Sequence, residues 1–362
     1  MAVLLPDLRP GGAEKVRVSL VREFVRRGLS VDVVLLQASG ELLEALPPQA
    51  RVVDLSARRI RDGLRPLIGY LRRRRPRSLL AAMWPLTVVA ILARALSGVR
   101  TRLVISDHTD YLATPLARSA AGRLKLAASM RGFYPKADAV AAVSAGVAQS
   151  VERLARLPAG SIAVIHNPFE IRAAAPPAAG EVPAAWRDFA GARVLSVGAL
   201  KEAKDFAGLL AAIALVRRER PVKLLILGEG PLRADLEARR AELGLEDDVL
   251  MPGHVPVAQR FMPLADLFVL SSAWEGFPNV VGEALAAGVP VVSTDCRSGP
   301  REILGDSEYG RLAPPGDPAA LARAILAELA DPHPREALLA RAAEFTVARA
   351  SDLYLGLLLP GG

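Results

Sequence analysis

The sequence predicts an α/β chain of two doubly wound, Rossmann-like domains whose parallel sheets face each other across a cleft. Three observations carry that prediction. Short apolar runs alternate with stretches of helical spacing from end to end, the pattern of parallel strands joined by crossover helices. At 362 residues, 51% of them hydrophobic, the chain exceeds one ordinary core and suits two of ordinary size. Residues 172–183 are rich in Ala and Pro, a composition that reads as a linker. The expected organisation is a first domain over 1–170, a linker over 171–190, a second domain over 191–345, and a closing helix over 346–362.

In the first half, apolar runs predict strands over residues 3–5, 31–36, 51–54, 79–83, 103–106, 139–143 and 162–165. After the first of them, Pro10-Gly11-Gly12-Ala13-Glu14 leads into a helix beginning around Glu14. Glycine there lets backbone approach a phosphate or sugar ring closely, although a Gly-Gly pair alone is an ordinary turn. The fingerprint G-x-G-x-x-G is absent, which argues against a hydride-transferring dehydrogenase. The apolar stretch 78–96 contains Trp84 and Pro85 and is broken by Arg94. It falls short of the roughly 20 clean apolar residues of a membrane span and reads as a strand followed by a helix starting near Pro85. Residues 115–134 have helical spacing, with Leu116, Ala120, Leu124 and Ala127 on one face and Arg118 and Lys125 roughly opposite; Arg123 and Arg131 project over the apolar side. This basic helix is a candidate contact for anionic lipid or for an acceptor phosphate.

The second half repeats the plan with strands over 193–197, 223–227, 249–251, 267–270, 289–294 and 310–312, and residues 345–359 close the chain with helical spacing. Ligands of such sheets lie beyond the carboxyl ends of the strands. The loops there are Val197-Gly198-Ala199-Leu200 with Lys201 and Lys204, Gly228-Glu229-Gly230-Pro231, Pro252-Gly253-His254-Val255, and Glu275-Gly276-Phe277-Pro278-Asn279-Val280-Val281-Gly282-Glu283. In the last, two carboxylates eight residues apart bracket a turn and the first turns of a helix. That order directs backbone N–H groups and the positive end of the helix dipole at the mouth of the sheet. A carboxylate accepts hydrogen bonds from neighbouring sugar hydroxyls, and a lysine neutralises phosphate. Taken alone, two glutamates so spaced are more often solvated helix charges.

Charge is unevenly divided. Residues 1–172 hold 27 Lys+Arg against 13 Asp+Glu, a net of +14, and the remainder holds 19 against 25, a net of −6. A membrane surface, a polyanionic acceptor or nucleic acid would suit such a domain. Nucleic acid is not expected, because aromatic residues are only 5% of the chain and no nucleic-acid motif accompanies the charge. The single cysteine, Cys296, excludes an internal disulfide and fits a reducing cytosol. Four histidines with no ligand spacing make a protein-bound metal unexpected, and no leader peptide is expected.

These segments, together with Ser106-Asp107-His108-Thr109-Asp110, Val143-Ser144, His166-Asn167-Pro168 and Asp295-Cys296-Arg297-Ser298-Gly299-Pro300-Arg301-Glu302, resemble the retaining GT-B glycosyltransferases of family 4 over nearly the full length. The resemblance implies transfer of a hexose or N-acetylhexosamine from a nucleotide diphosphate sugar, UDP-linked, to a glycan or lipid-linked glycan, with no cofactor beyond the donor substrate. It implies His108 near the donor sugar and Lys204 on the diphosphate. Glu275 and the N–H groups of Phe277, Pro278, Asn279 and Val280 (Pro278 through its neighbours) would hold sugar and phosphate. Glu283 would bind the ribose, the backbone at His254 and Val255 the base, and Gly12 and Gly198 would line the donor. The family's arginine just after Gly198 is replaced by Ala199, with Lys201 or a first-domain arginine as candidate substitutes, and the resemblance implies that the last helix, over 346–362, returns to the first domain. Front-face attack is implied, with a covalent route through Glu275 as the minor alternative. Arg118, Arg123, Lys125 and Arg131 would face acceptor or membrane, placing the enzyme in the cytoplasm or at the inner face of its membrane. A GT-B-shaped epimerase or phosphorylase and a non-enzymatic polyanion-binding protein remain the rival expectations.

Overall fold

A computed structural model describes residues 1–169 and 177–360; residues 170–176, which include the start of the expected linker, lie outside the described residues. The chain divides into two compact units. Unit one comprises Met1–Pro168 and Phe345–Gly362, and unit two comprises Phe169–Glu344.

Unit one is built on β1 (Ala2–Leu5), β2 (Asp32–Leu35), β3 (Arg51–Asp54), β4 (Ser78–Ala82), β5 (Arg102–Asp107), β6 (Ala139–Ala142) and β7 (Ala163–Val164). They lie in the order β3-β2-β1-β4-β5-β6-β7, all pairings parallel. β1 and β4 are buried along their whole length, as central strands covered on both faces must be. The helix Gly12–Arg26 packs Leu20, Val21 and Phe24 into a core that also takes Ala350, Tyr354 and Leu358 from the helix Val347–Leu358. Each such large side chain contributes about 1.5–3 kcal/mol by leaving water. Arg102 Nε also donates to Leu357 O, at 2.5 Å.

Unit two carries β8 (Ala192–Val197), β9 (Val222–Leu227), β10 (Val249–Gly253), β11 (Leu267–Leu270), β12 (Val291–Thr294) and β13 (Arg311–Ala313). Their order is β10-β9-β8-β11-β12-β13, again wholly parallel. Successive strands run outward from β8 on one side, and the direction reverses between β8 and β11. In sheets of this kind ligands bind at such a reversal, beyond the carboxyl ends of the two strands. In unit one the same reversal falls between β1 and β4.

Three details differ from the sequence expectation. The strand expected over 289–294 starts only at Val291, because Gly288 is left-handed at φ 69° and Pro290 has no N–H to give a ladder. Residues 184–187 form a short helix whose Trp186 is fully buried and donates its indole N–H to Val194 O at 3.3 Å, so this part of the expected linker packs on unit two. Over 115–134 the chain breaks at Ser119, whose hydroxyl caps the helix Ala120–Phe133 by accepting from the Gly122 N–H at 3.0 Å. The side facing the core is Gly122, Leu126, Ala127 and Met130. Of the four residues expected on the apolar face only Ala127 is buried, whereas Ala120 is exposed, Leu116 is 39% exposed and Leu124 67%. Among the described residues no helix is long and apolar enough to cross a membrane.

Candidate functional site

In unit two the strand-end loops converge where the sheet reverses. Lys204 closes the short turn Glu202–Lys204 after β8, and Glu275 follows β11. Lys204 Nζ donates to Glu275 Oε1 at 2.6 Å, with the two side chains 15% and 14% exposed. Ser272 Oγ donates to the same carboxylate oxygen at 2.7 Å, and Ser271 Oγ donates to the Lys204 carbonyl at 2.7 Å. The serines that follow β11 thus orient both members of the pair. The charge of Glu275 is felt next door: the buried Cys296 thiol is pushed up to about 12, by burial first and Glu275 second.

Close backbone approach holds these loops together. A Cβ on Gly228 would lie 1.9 Å from Gly198 O, so only glycine lets β9 and β8 end side by side. The Gly228 N–H also donates to Gly253 O at 2.8 Å. Gly299 adopts φ 94° and comes so close to the 276–278 turn that a Cβ would meet Pro278 Cδ at 2.6 Å.

The turn after Glu275 delivers the helix Asn279–Ala287, with Pro278 at the N-cap position and no side-chain capping bond. Asn279 and Val280 open its first turn, and its N-terminal end carries the positive pole of its dipole. The Phe277 side chain is buried and stacks on Phe169 with ring centroids 5.8 Å apart, so that side chain serves packing and only its backbone is placed for a ligand. Glu283, half-buried one turn into the helix, accepts from Gln259 Nε2 at 2.9 Å. Lys201 is exposed, Gly198 packs against the aliphatic stem of Lys204, His254 is exposed after β10 and Val255 is half-buried. The spacing of residues did not show Gln259, whose partner Glu283 is 24 positions away, nor the role of Ser272, although its partner Glu275 is only three positions on.

Unit one assembles a second cluster around His108, which follows β5. Its Nε2 lies 2.8 Å from Arg17 Nη2 and 3.2 Å from Ser106 Oγ, and Tyr354 Oη lies 3.3 Å from Arg17 Nη2 and 3.1 Å from Ser106 Oγ. Burial first and the Arg17 charge second hold the His108 imidazole well below its ordinary pKa. Beside it the fully buried Asp107 accepts from Tyr111 Oη at 2.7 Å and Tyr134 Oη at 3.1 Å. Burial raises that carboxyl to about 6, with the two tyrosines pulling the other way. Gly12 begins the helix Gly12–Arg26 and is exposed. Arg17 was missed in the sequence although it left a signal: Arg17, Leu20, Val21 and Phe24 share one helical face, which places a cation in an apolar stripe.

Arg118, Arg123, Lys125 and Arg131 are all exposed. Arg123 Nε donates to Ala117 O at 3.3 Å and Arg131 Nε to Leu154 O at 3.2 Å. Elsewhere in unit two, a hollow of about 570 Å³ lined by Arg311, Arg323, Asp331 and His333 holds none of the residues expected to bind donor. Among the described residues no cluster of His, Cys, Asp and Glu could hold a metal ion.

Comparison with known proteins bears on this arrangement. Residues 10–172 match the family model described as Glycosyltransferase Family 4, and residues 191–331 match that described as Glycosyl transferases group 1. The N-acetylgalactosamine-N,N'-diacetylbacillosaminyl-diphospho-undecaprenol 4-alpha-N-acetylgalactosaminyltransferase of Campylobacter jejuni is 33% identical over 225 residues, which are 62% of this chain and 59% of that protein. The lipopolysaccharide core biosynthesis glycosyltransferase LpsE of Rhizobium meliloti is 36% identical over 170 residues, 46% of this chain and 49% of that one. The chain thus spans about half to three fifths of the length of these relatives. Anabaena HepE, solved in complex with UDP, superposes with a TM-score of 0.78 over 99% of both chains at 21% identity, a likeness of fold. The chain therefore carries a Glycosyltransferase Family 4 domain followed by a Glycosyl transferases group 1 domain, on the α/β architecture of the GT-B glycosyltransferases.

Proposed function

We propose that the chain is a retaining, metal-independent glycosyltransferase that moves a hexose or N-acetylhexosamine from a UDP-sugar to a hydroxyl of a glycan or lipid-linked glycan. The observation that carries this reading is the Lys204–Glu275 pair at the strand reversal of unit two, beside the N-terminal end of the helix Asn279–Ala287. The names of the relatives support it: one acts on a diphospho-undecaprenol-linked sugar, another serves lipopolysaccharide core synthesis, and the HepE structure contains UDP.

In this reading Lys204 and the helix end take the diphosphate, Glu275 accepts from a sugar hydroxyl, and Glu283 accepts from the ribose. The bond from the anomeric carbon to the UDP oxygen breaks as the acceptor oxygen bonds the same face of that carbon. The acceptor proton passes to the departing β-phosphate, so no protein base is needed, and the ammonium stabilises the charge that develops there. On unit one, the exposed Leu116 and Leu124 among Arg118, Arg123, Lys125 and Arg131 suit contact with an anionic lipid surface that presents the acceptor.

The test is calorimetric titration with UDP and a panel of UDP-sugars, followed by NMR of the product made with a lipid-diphosphate glycan acceptor. Binding of UDP and a product of retained anomeric configuration are expected. Absence of UDP binding, or an inverted product, would refute the reading.

A further inference from the structure

Arg17 has no exposed surface, and its guanidinium carbon lies 4.8 Å from the centre of the Tyr354 ring. It contacts His108 and Tyr354 through the same nitrogen, Nη2. We propose that Arg17, Ser106 and Tyr354 lock His108 as the neutral imidazole with its proton on Nδ1, so that His108 serves a ligand only as a hydrogen-bond donor. The ligand half of this statement rests on the reading of His108 as a sugar contact; the lock itself does not.

The direction of every hydrogen bond follows from one fact: a guanidinium has donors and no acceptor. With Arg17 Nη2 at 2.8 Å, Nε2 of His108 must present its lone pair, since a proton there would set two donors head to head. Ser106 must donate its single proton to the unprotonated Nε2 at 3.2 Å, so Tyr354 Oη, which accepts from the same Nη2, gives its own proton to Ser106 Oγ at 3.1 Å. In that one sense of rotation each of the four contacts has a donor and an acceptor, with Nε2 of His108 accepting from both Arg17 and Ser106. The imidazolium form would add a proton at Nε2 and put a second positive charge against a buried one, which costs more than it returns.

The neutral ring therefore carries its proton on Nδ1, a buried atom with no partner among the described residues. A buried donor left unpaired costs about 1–3 kcal/mol, and a sugar oxygen reached by a small shift of the ring would recover that. A role as general base is closed. Freeing Nδ1 of its proton means placing the proton on Nε2, against Arg17. The C-terminal helix thus enters the chemistry of unit one through a hydroxyl 246 positions along the chain from the histidine it helps to set.

The chain contains four histidines, so the full-length protein labelled with 15N-histidine gives a readable long-range 1H–15N spectrum, with the His108 signals identified by their loss in His108→Gln. At pH 7 a protonated Nδ1 and an unprotonated Nε2 are expected; a protonated Nε2, alone or with Nδ1, would overturn the lock. Arg17→Lys keeps a donor-only cation and should preserve the pattern, whereas Arg17→Gln offers an acceptor oxygen and should shift the ring toward the Nε2-protonated form. An unchanged spectrum in Arg17→Gln would remove Arg17 from the argument, and the wild-type spectrum decides the lock even where a variant fails to fold. Saturation with a UDP-sugar shown by calorimetry to bind should move the Nδ1 signal. A static signal under proven binding would overturn the donating role, while failure of any UDP-sugar to bind would count against the proposed function and leave the lock standing.

Discussion

Replacing Lys204 with Met and Glu275 with Gln, singly and together, tests the site where its geometry is tightest. Nζ and Oε1 are 2.6 Å apart with about one seventh of each side chain exposed. Bare Coulomb attraction at that separation is about 6 kcal/mol at an effective dielectric of about 20 and about 1.6 kcal/mol in water. Desolvation and side-chain ordering cancel most of this, and the pair lies between an exposed bridge worth about 0–1 kcal/mol and a buried one whose breakage costs about 3–5 kcal/mol. A double-mutant cycle in urea should therefore return a coupling of about 1–3 kcal/mol. The two single variants should part company on ligands. Lys204→Met removes a charged hydrogen bond to phosphate, so its Kd for UDP should rise about 10- to 100-fold, equivalent to about 1.5–3 kcal/mol. Glu275→Gln leaves the lysine uncompensated, so UDP should bind as well as before or better, while a UDP-sugar loses its hydroxyl acceptor and binds more weakly. A coupling below about 0.5 kcal/mol, together with wild-type UDP affinity in Lys204→Met, would refute the reasoning that these two side chains share one ligand site.

Glu283→Gln should weaken UDP by about 1–2 kcal/mol, the worth of charge-assisted bonds to ribose hydroxyls, and should leave binding of free pyrophosphate unchanged in calorimetry. Asp107 has a folded-state pKa near 6 against an ordinary 3.8; the folded state holds that proton more tightly, so the contribution is complete below about pH 4 and is lost as pH rises through about 6, some 3 kcal/mol in all. Asp107→Asn should accordingly match wild type near pH 4 and exceed it by about 1–2 kcal/mol at pH 7 in pH-dependent denaturation, after allowance for weakened tyrosine hydrogen bonds; a variant less stable than wild type at pH 7 would contradict the raised pKa. Sedimentation with vesicles of anionic lipid should recover the protein at low salt, and Leu116→Asp with Leu124→Asp should lower that recovery several-fold, because two exposed apolar anchors become like charges of the surface.

The buried strands were legible because a parallel strand covered on both faces is an uninterrupted apolar run, and β11 matches its expected bounds residue for residue; the exposed edge strand β3 does so too, on its Val52-Val53 pair between charged ends. The loops after β8 and β11 were legible as candidates because Gly, Pro and Lys punctuate them. What no spacing carries is that Lys204 and Glu275, 71 residues apart in sequence, meet, since their meeting depends on β11 pairing with β8 and not with β10. The basic helix over 115–134 misled for a related reason. An alanine-rich stretch leaves its faces poorly distinguished, and Leu126 and Met130, not Leu116 and Leu124, are buried in the helix that packs against Ala145–Ala155. Arg17 was hidden by the habit of assigning cations to water, although its helical neighbours Leu20, Val21 and Phe24 are all core.

Unit one draws its last core residues, Ala350, Tyr354 and Leu358, from sequence that follows the whole of unit two. On the ribosome, where domains ordinarily fold in the order they emerge, the earlier-made unit here must wait for its closing helix, while the later-made unit leaves the tunnel with all of its sequence contiguous. Synthesis order and completion order are thus reversed, and a released chain cut after residue 344 would keep the whole sequence of the second unit while leaving the first unsealed.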